Sequence, residues 1–158
     1  MAMAKTELLA RILGHLRTEL DLLTRAALAT HAEATHEENK AEDKYDTRGL
    51  EASYLAHGQS RAAEEAADAV AQFQALPLRE FAPGEVIALG ALVRLEDGSR
   101  YFLGPRAGGT EVESDGATVM VITPSSPLGR QLVGRRQGDS FQLALGPRHT
   151  QTRIVAVS

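Results

Sequence analysis

Apolar residues in the first half of the chain recur every three or four positions. Leu9, Leu13, Leu16, Leu20, Leu23 and Ala27 form one stripe, and Leu55, Ala62, Ala66, Ala69, Phe73 and Leu76 form a second. That period places each set on one face of an α-helix. From Lys5 to Leu76 there is no Pro and only three Gly: Gly14, Gly49 and Gly58. Gly49 weakens a continuous helix, and Asp46 or Thr47 can accept hydrogen bonds from the free N–H groups of a new one. The pattern predicts a helix over about 5–43, a turn at 44–49 and a second helix over about 50–76. Together, 1–77 would form an antiparallel helical hairpin (coiled coil), based on the Leu-rich start of one helix and Phe73/Leu76 of the other. Beyond Leu28 the stripe thins to Ala29, Ala32, Ala34 and Ala41. Alanines bury little area, so that end is expected to be the less stable one. The second helix would carry the turn out by about 40 Å. The same residues also permit a single kinked helix that dimerises.

Pro77 and Pro83 bracket a linker at 78–84, after which the pattern changes. Short runs alternate with turn residues, predicting strands at Val86–Leu89, Ala91–Leu95, Arg100–Leu103, Thr110–Glu113, Thr118–Thr123, Ser140–Leu145 and Arg153–Val157. Asp97-Gly98 is a strong hairpin signal, and Gly108-Gly109 and Asp115-Gly116 punctuate other joints. Ser125 to Gly134, with Ser before Pro and then Leu128, Leu132 and Val133, reads as a short capped helix. Residues 85–158 are therefore predicted to be a twisted antiparallel sheet with one short helix, making the whole an α+β chain. Leu-Gly-Pro-Arg occurs at 103–106 and again at 145–148, which two similar turns suffice to explain.

Composition narrows the chemistry. The chain has 158 residues, no Cys and no Trp, and 4% aromatic residues. Thiolate metal sites and a base-stacking surface are thereby disfavoured, and the lack of Cys fits a reducing, cytoplasmic setting. No apolar run approaches a membrane span, and the first residues lack a signal-peptide core, so no membrane partner is expected. Residues 1–80 hold nine Lys/Arg against fourteen Asp/Glu, and residues 81–158 hold eight against seven. Glu33, Glu37, Glu38, Glu42, Asp43, Asp46 and Glu51, against Lys40, Lys44 and Arg48, give 33–51 a net charge of −4. Such a segment suits a cation or a basic surface, and carboxylates can share Mg²⁺ with substrate phosphates. A solvated turn, with Asp46 as N-cap and Glu51 in a first helical turn, explains the same acids. His31, His36 and His57 lack the spacing of a helical metal pair, and no hydrolase, Walker or dinucleotide motif occurs. Arg130, Arg135 and Arg136 suit an acidic partner or a solvated face. Leu128 and Val133 suit a partner contact or the core.

The run from Met120-Val121-Ile122-Thr123-Pro124-Ser125-Ser126-Pro127-Leu128-Gly129 through Arg130-Gln131-Leu132-Val133-Gly134-Arg135-Arg136-Gln137-Gly138-Asp139 resembles the C-terminal signature of the Gre-type transcription elongation factors. The order of helical hairpin and then this domain agrees as well, so the resemblance covers nearly the whole chain. It implies an FKBP-like fold for 84–158 and RNA polymerase as partner, with Ser126, Pro127 and Leu128 as the docking turn. It also implies that the hairpin tip enters the polymerase secondary channel, with indirect contact to nascent RNA. There the family's two tip acids help hold the polymerase's second Mg²⁺ and stimulate transcript cleavage. Aligned on Tyr54 in Glu51-Ala52-Ser53-Tyr54, those two positions fall on Thr47 and Leu50, neither acidic. Asp46 and Glu51 each lie one residue away, with Asp43 upstream, and are the expected catalytic and metal-facing acids. On a rigid helix one residue turns a side chain by about 100°. The expectation is an accessory factor without activity or cofactor of its own, sharing Mg²⁺ with the polymerase. It either stimulates cleavage or simply occludes the channel. A prolyl isomerase is disfavoured, because 84–158 carries only Tyr101, Phe102 and Phe141 as aromatics.

Overall fold

The computed structural model describes residues 4–40 and 48–158, and the side chains of 4–33 and 57–158. Two long helices come first, α1 (Lys5–Lys40) and α2 (Arg48–Ala75). They are followed by β1 (Leu92–Leu95), β2 (Arg100–Leu103), β3 (Glu111–Ser114), β4 (Ala117–Ile122), α3 (Pro127–Leu132), β5 (Ser140–Leu145) and β6 (Arg148–Val157). The chain divides into two compact units. One comprises residues 14–71 and contains most of both long helices. The other comprises 1–13 and 72–158, so the first turns of α1 and the end of α2 belong with the sheet.

In the helical unit the expected stripes are the inward faces. Leu16, Ala27, Ala69 and Val70 are buried, and Leu20, Leu23, Ala62 and Ala66 are half-buried. Leu22 and Leu28, one step either side of the first stripe, are exposed. A rotation of about 100° per residue takes each of them off the seam.

The sheet unit has six strands in the order β3-β4-β2-β1-β6-β5. It is mixed, which corrects the all-antiparallel expectation: β2 and β4 run parallel, with Phe102 opposite Val121. The reason lies in the β3–β4 hairpin. Asp115 (φ 51) and Gly116 (φ 74) form its two-residue turn, with positive φ at both positions as a type I′ turn requires. After that turn β4 inserts between β3 and β2, leaving β3 at the edge. The strand expected at Val86–Leu89 is absent. Only Ile87 is paired, its N–H donating to the Arg135 carbonyl and its carbonyl accepting from Gly134 N–H. β6 starts five residues earlier than expected, because Gly146-Pro147 closes a tight hairpin that lets β5 pair along Arg148–Arg153. The two Leu-Gly-Pro-Arg segments thus differ: Gly146 turns a hairpin, whereas Gly104 lies buried after β2.

Both faces of the sheet carry apolar packing. Val93, Leu95, Leu103, Ile122, Leu143 and Ile154 join Phe81, Ile87 and Leu132 of α3 in one core. Register places Phe102 and Val121 on the opposite face. There the Phe73 ring of α2 stacks on Phe102 at 6.4 Å between centroids. Phe73, Leu8 and Ile12 are all at most 1% exposed. A Cβ on Gly104 would come within 2.6 Å of the Phe73 ring and 2.9 Å of Val121 Cγ1, so glycine is needed for this approach.

A polar joint ties the start of α1 to the linker. The Lys5 ammonium donates to the Arg79 carbonyl at 2.8 Å and lies 4.8 Å from the Phe81 ring centroid. The Arg79 guanidinium sits 3.8 Å from the same centroid and pairs with Glu85 at 2.7 Å. Burial lowers the Lys5 pKa, opposed by the Glu80 charge. The Glu85 pKa is also lowered, chiefly by the Ala82 N–H donating to its carboxylate and then by Arg79.

Phe73→Ala should cost about 3–5 kcal/mol, the range for a buried Phe losing its ring, read as a lower urea midpoint. Glu85 has an acid-side signature. Its folded pKa lies below the unfolded value, so its contribution is present above the ordinary glutamate range. That contribution is lost as pH falls through the lowered folded value. Urea midpoints of wild type and Glu85→Gln should therefore differ at pH 6 and converge on acidification.

Candidate functional site

The run singled out in the sequence folds into a tight connection around α3. Ser126, at φ −67 and ψ 158, is the N-cap. Its hydroxyl accepts from Gly129 N–H at 3.0 Å and donates to the Thr123 carbonyl at 2.7 Å. Pro127 follows at the first helical position, where its missing N–H costs nothing. Gly129 passes so close to β4 that a Cβ would lie 1.9 Å from the Thr123 carbonyl oxygen. Leu132 is fully buried, and Leu128 is half-buried against the same core. The helix ends at Val133, whose N–H donates to the Gly129 carbonyl, and Gly134 (φ 87) turns the chain out.

The polar residues after the turn are also engaged within the unit. The Gln131 carboxamide donates to the Ala144 carbonyl at 2.9 Å and accepts from Ala144 N–H at 2.7 Å. It thereby stands in for a neighbouring strand on the β5 edge. Arg11 does the same at the other edge, donating to the Glu113 carbonyl of β3 at 2.9 Å. The Arg135 guanidinium lies 4.1 Å from the Phe141 ring centroid and its Nε donates to the Gln131 carbonyl. Arg136 donates to the Gly84 carbonyl, and its own N–H donates to the Asp139 carboxylate. Arg135 and Arg136 are therefore held by the fold, while Arg130 is exposed on α3.

Of the expected docking residues, Ser126 is committed to capping and Leu128 partly to the core, while Pro127 is exposed. Val133, at 38% exposure, faces outward. The expected tip acids Asp43 and Asp46 lie outside the described residues, as does Thr47, and the Glu51 side chain is outside them too. No group of three His, Cys, Asp or Glu that could hold a metal occurs among the described residues. Phe102 and Phe141 are both buried, one under Phe73 and the other beneath Arg135. Sequence reasoning missed the roles of Lys5, Arg11, Gln131 and Gly104. Each works through a partner more than ten residues away; the repeated Leu-Gly-Pro-Arg drew attention to Gly104 and the 120–139 run to Gln131, without revealing either role.

The chain is 34% identical over 122 residues to the transcription inhibitor protein Gfh1 of Thermus aquaticus, covering 75% of this chain and 74% of that protein. It is 33% identical over 122 residues to the Thermus thermophilus protein of the same name, covering 75% of each. The chain belongs to the Gre-type transcription factor family. Its relation to Gfh1, a GreA factor homologue, places it among the divergent members. No protein-family model matches the chain. The crystal structure of the Thermus thermophilus Gfh1 protein aligns with 92% of this chain and 94% of its own, at 23% identity and a TM-score of 0.37. A second Gfh1 structure covers 99% and 95% respectively, at 27% identity and a TM-score of 0.37. No helix among the described residues of this Gre-type chain is long and apolar enough to cross a membrane.

Gly129→Ala should lower stability by more than the ~1 kcal/mol expected for Ser126→Ala, because a cap can be replaced by water and a carbonyl clash cannot. Urea unfolding of both variants checks the order.

Proposed function

We propose that this protein is a regulatory accessory factor that binds RNA polymerase and inhibits transcription, with no catalysis of its own. The observation that carries this reading is kinship, over three quarters of the chain, to proteins named transcription inhibitors. The tip chemistry supports it. Thr47 and Leu50 stand where the resemblance calls for the cleavage-stimulating acids. In this reading the sheet unit docks through the α3 region, around Pro127, and the 33–51 segment enters the secondary channel. There its net charge of −4 occludes the path and competes for Mg²⁺ near the polymerase's active centre. Contact with nascent RNA is indirect.

A second reading, stimulated transcript cleavage, is favoured by Asp46 and Glu51 standing one residue from the aligned positions, with Asp43 upstream. In that case the acids would fix the second Mg²⁺ of a two-metal phosphoryl transfer run by the polymerase.

The test is transcription in vitro with a stalled elongation complex. Added protein should slow RNA synthesis in a dose-dependent way without releasing short 3′ fragments. The Asp46→Ala/Glu51→Ala double variant should keep its polymerase affinity and lose most of the inhibition. Short fragments produced by the wild type and abolished in that variant would replace inhibition with cleavage. Absence of polymerase binding would remove both readings.

A further inference from the structure

The sheet face that carries Phe102 is apolar and buried at Phe102, Val119 and Val121 of β2 and β4. Across β1, β6 and β5 the same face carries other residues. Arg94 stands opposite Arg100 on β2 and Ala156 on β6. Beyond the β-bulge, Leu95 and Ile154 are buried on the other face, which turns Arg153 onto this one. Arg153 pairs with Ser140 of β5, and Gln151 with Gln142. Arg94, Glu96, Ser140, Gln142, Gln151 and Arg153 are all exposed.

Two like charges directly opposite each other across strands repel, and a face serving only solubility has no reason to keep them. Arg100 leans away toward the Ser114 carbonyl at 3.5 Å. Arg94 and Arg100 form no ion pair among the described residues. We propose that this exposed face, anchored by Arg94 and Arg153 with Arg100 beside them, is a contact surface for an acidic protein segment of the polymerase. The inference rests on the polymerase reading above and adds a surface on the sheet away from α3.

The chemistry favours protein carboxylates over nucleic acid. A planar guanidinium matches a carboxylate in a two-point contact. No Phe, Tyr or Trp stands among the exposed positions of this face, which leaves His149 of β6 as the one ring there for a base to stack on. Glu96 lies in the same region, its N–H bonded to the Arg153 carbonyl. A duplex, with a phosphate about every 1.7 Å along its axis, would run into that charge, whereas discrete carboxylates can be spaced around it.

The experiment uses the full chain as wild type, Arg94→Glu and Arg94→Glu/Arg153→Glu. Affinity for core RNA polymerase is measured at low and at physiological salt, alongside urea unfolding and binding to a short DNA duplex. The double variant should bind polymerase at least about tenfold more weakly and lose most of the salt dependence. The unfolding midpoint of Arg94→Glu should not fall, because the change turns a repulsive cross-strand pair into an attractive one. Wild type and double variant binding within about twofold of each other would overturn the inference and leave the polymerase reading standing. Affinity lost only together with stability would show a structural role and overturn it as well. Duplex binding abolished by the double variant, with polymerase binding unchanged, would reassign the face to nucleic acid. A wild type that fails to bind polymerase would remove the reading and this partner together.

Discussion

The stack of Phe73 on Phe102 is the contact on which the second face of the sheet depends. One aromatic ring from the end of α2 covers the parallel β2–β4 pair, where Gly104 gives up its side chain to admit it. Full burial of a ring of that size contributes about 1.5–3 kcal/mol from area alone. It also makes the unit's boundary unusual in sequence terms. The first thirteen residues of the chain fold with the last eighty-seven, while the stretch between them forms a unit of its own. The polar joint of Lys5, Arg79, Phe81 and Glu85 ties the start of α1 to the linker within that same unit.

The opposite face has a different logic. It is closed by a short helix whose existence depends on a chain of local constraints: a serine cap, a proline at the first turn and a glycine pressed against a carbonyl. Ser126, Gly129, Gln131, Leu132, Arg135 and Asp139 of the motif all have a structural duty. The run is thus a tight connection that leaves Pro127, Arg130 and Val133 exposed. The two sheet edges are managed in the same economical way. Gln131 and Arg11 each meet backbone groups of an edge strand that would otherwise be open to pairing.

Concentrated negative charge and the described packing fall in different stretches of the chain. The described sheet unit is closely tied together by its own hydrogen bonds. The concentrated negative charge falls in 33–51, where alanine replaces leucine in the apolar pattern. The proposed function would need an anchor with defined geometry and a charged segment that does not bind back to that anchor. The small net charge of residues 81–158 is consistent with that requirement.

The sequence by itself determined the elements whose physics is local. Heptad-like stripes specified both helices, because burial at every third or fourth position has one geometric solution. Asp97-Gly98 and Asp115-Gly116 marked true hairpin turns, the first needing positive φ at Gly98 and the second at both Asp115 and Gly116. Ser126-Pro127 placed α3 to within two residues, and the family resemblance was carried by that same run. Tertiary structure alone decided which strands are neighbours. The parallel β2–β4 pairing, the loss of a strand at Val86–Leu89 and the early start of β6 all depend on contacts between distant segments that no local pattern encodes. It also decided that Ser126 and Leu128 serve the fold first, and that Arg94 and Arg100 face one another. Cross-strand register sets such pairs, and register is a property of the assembled sheet.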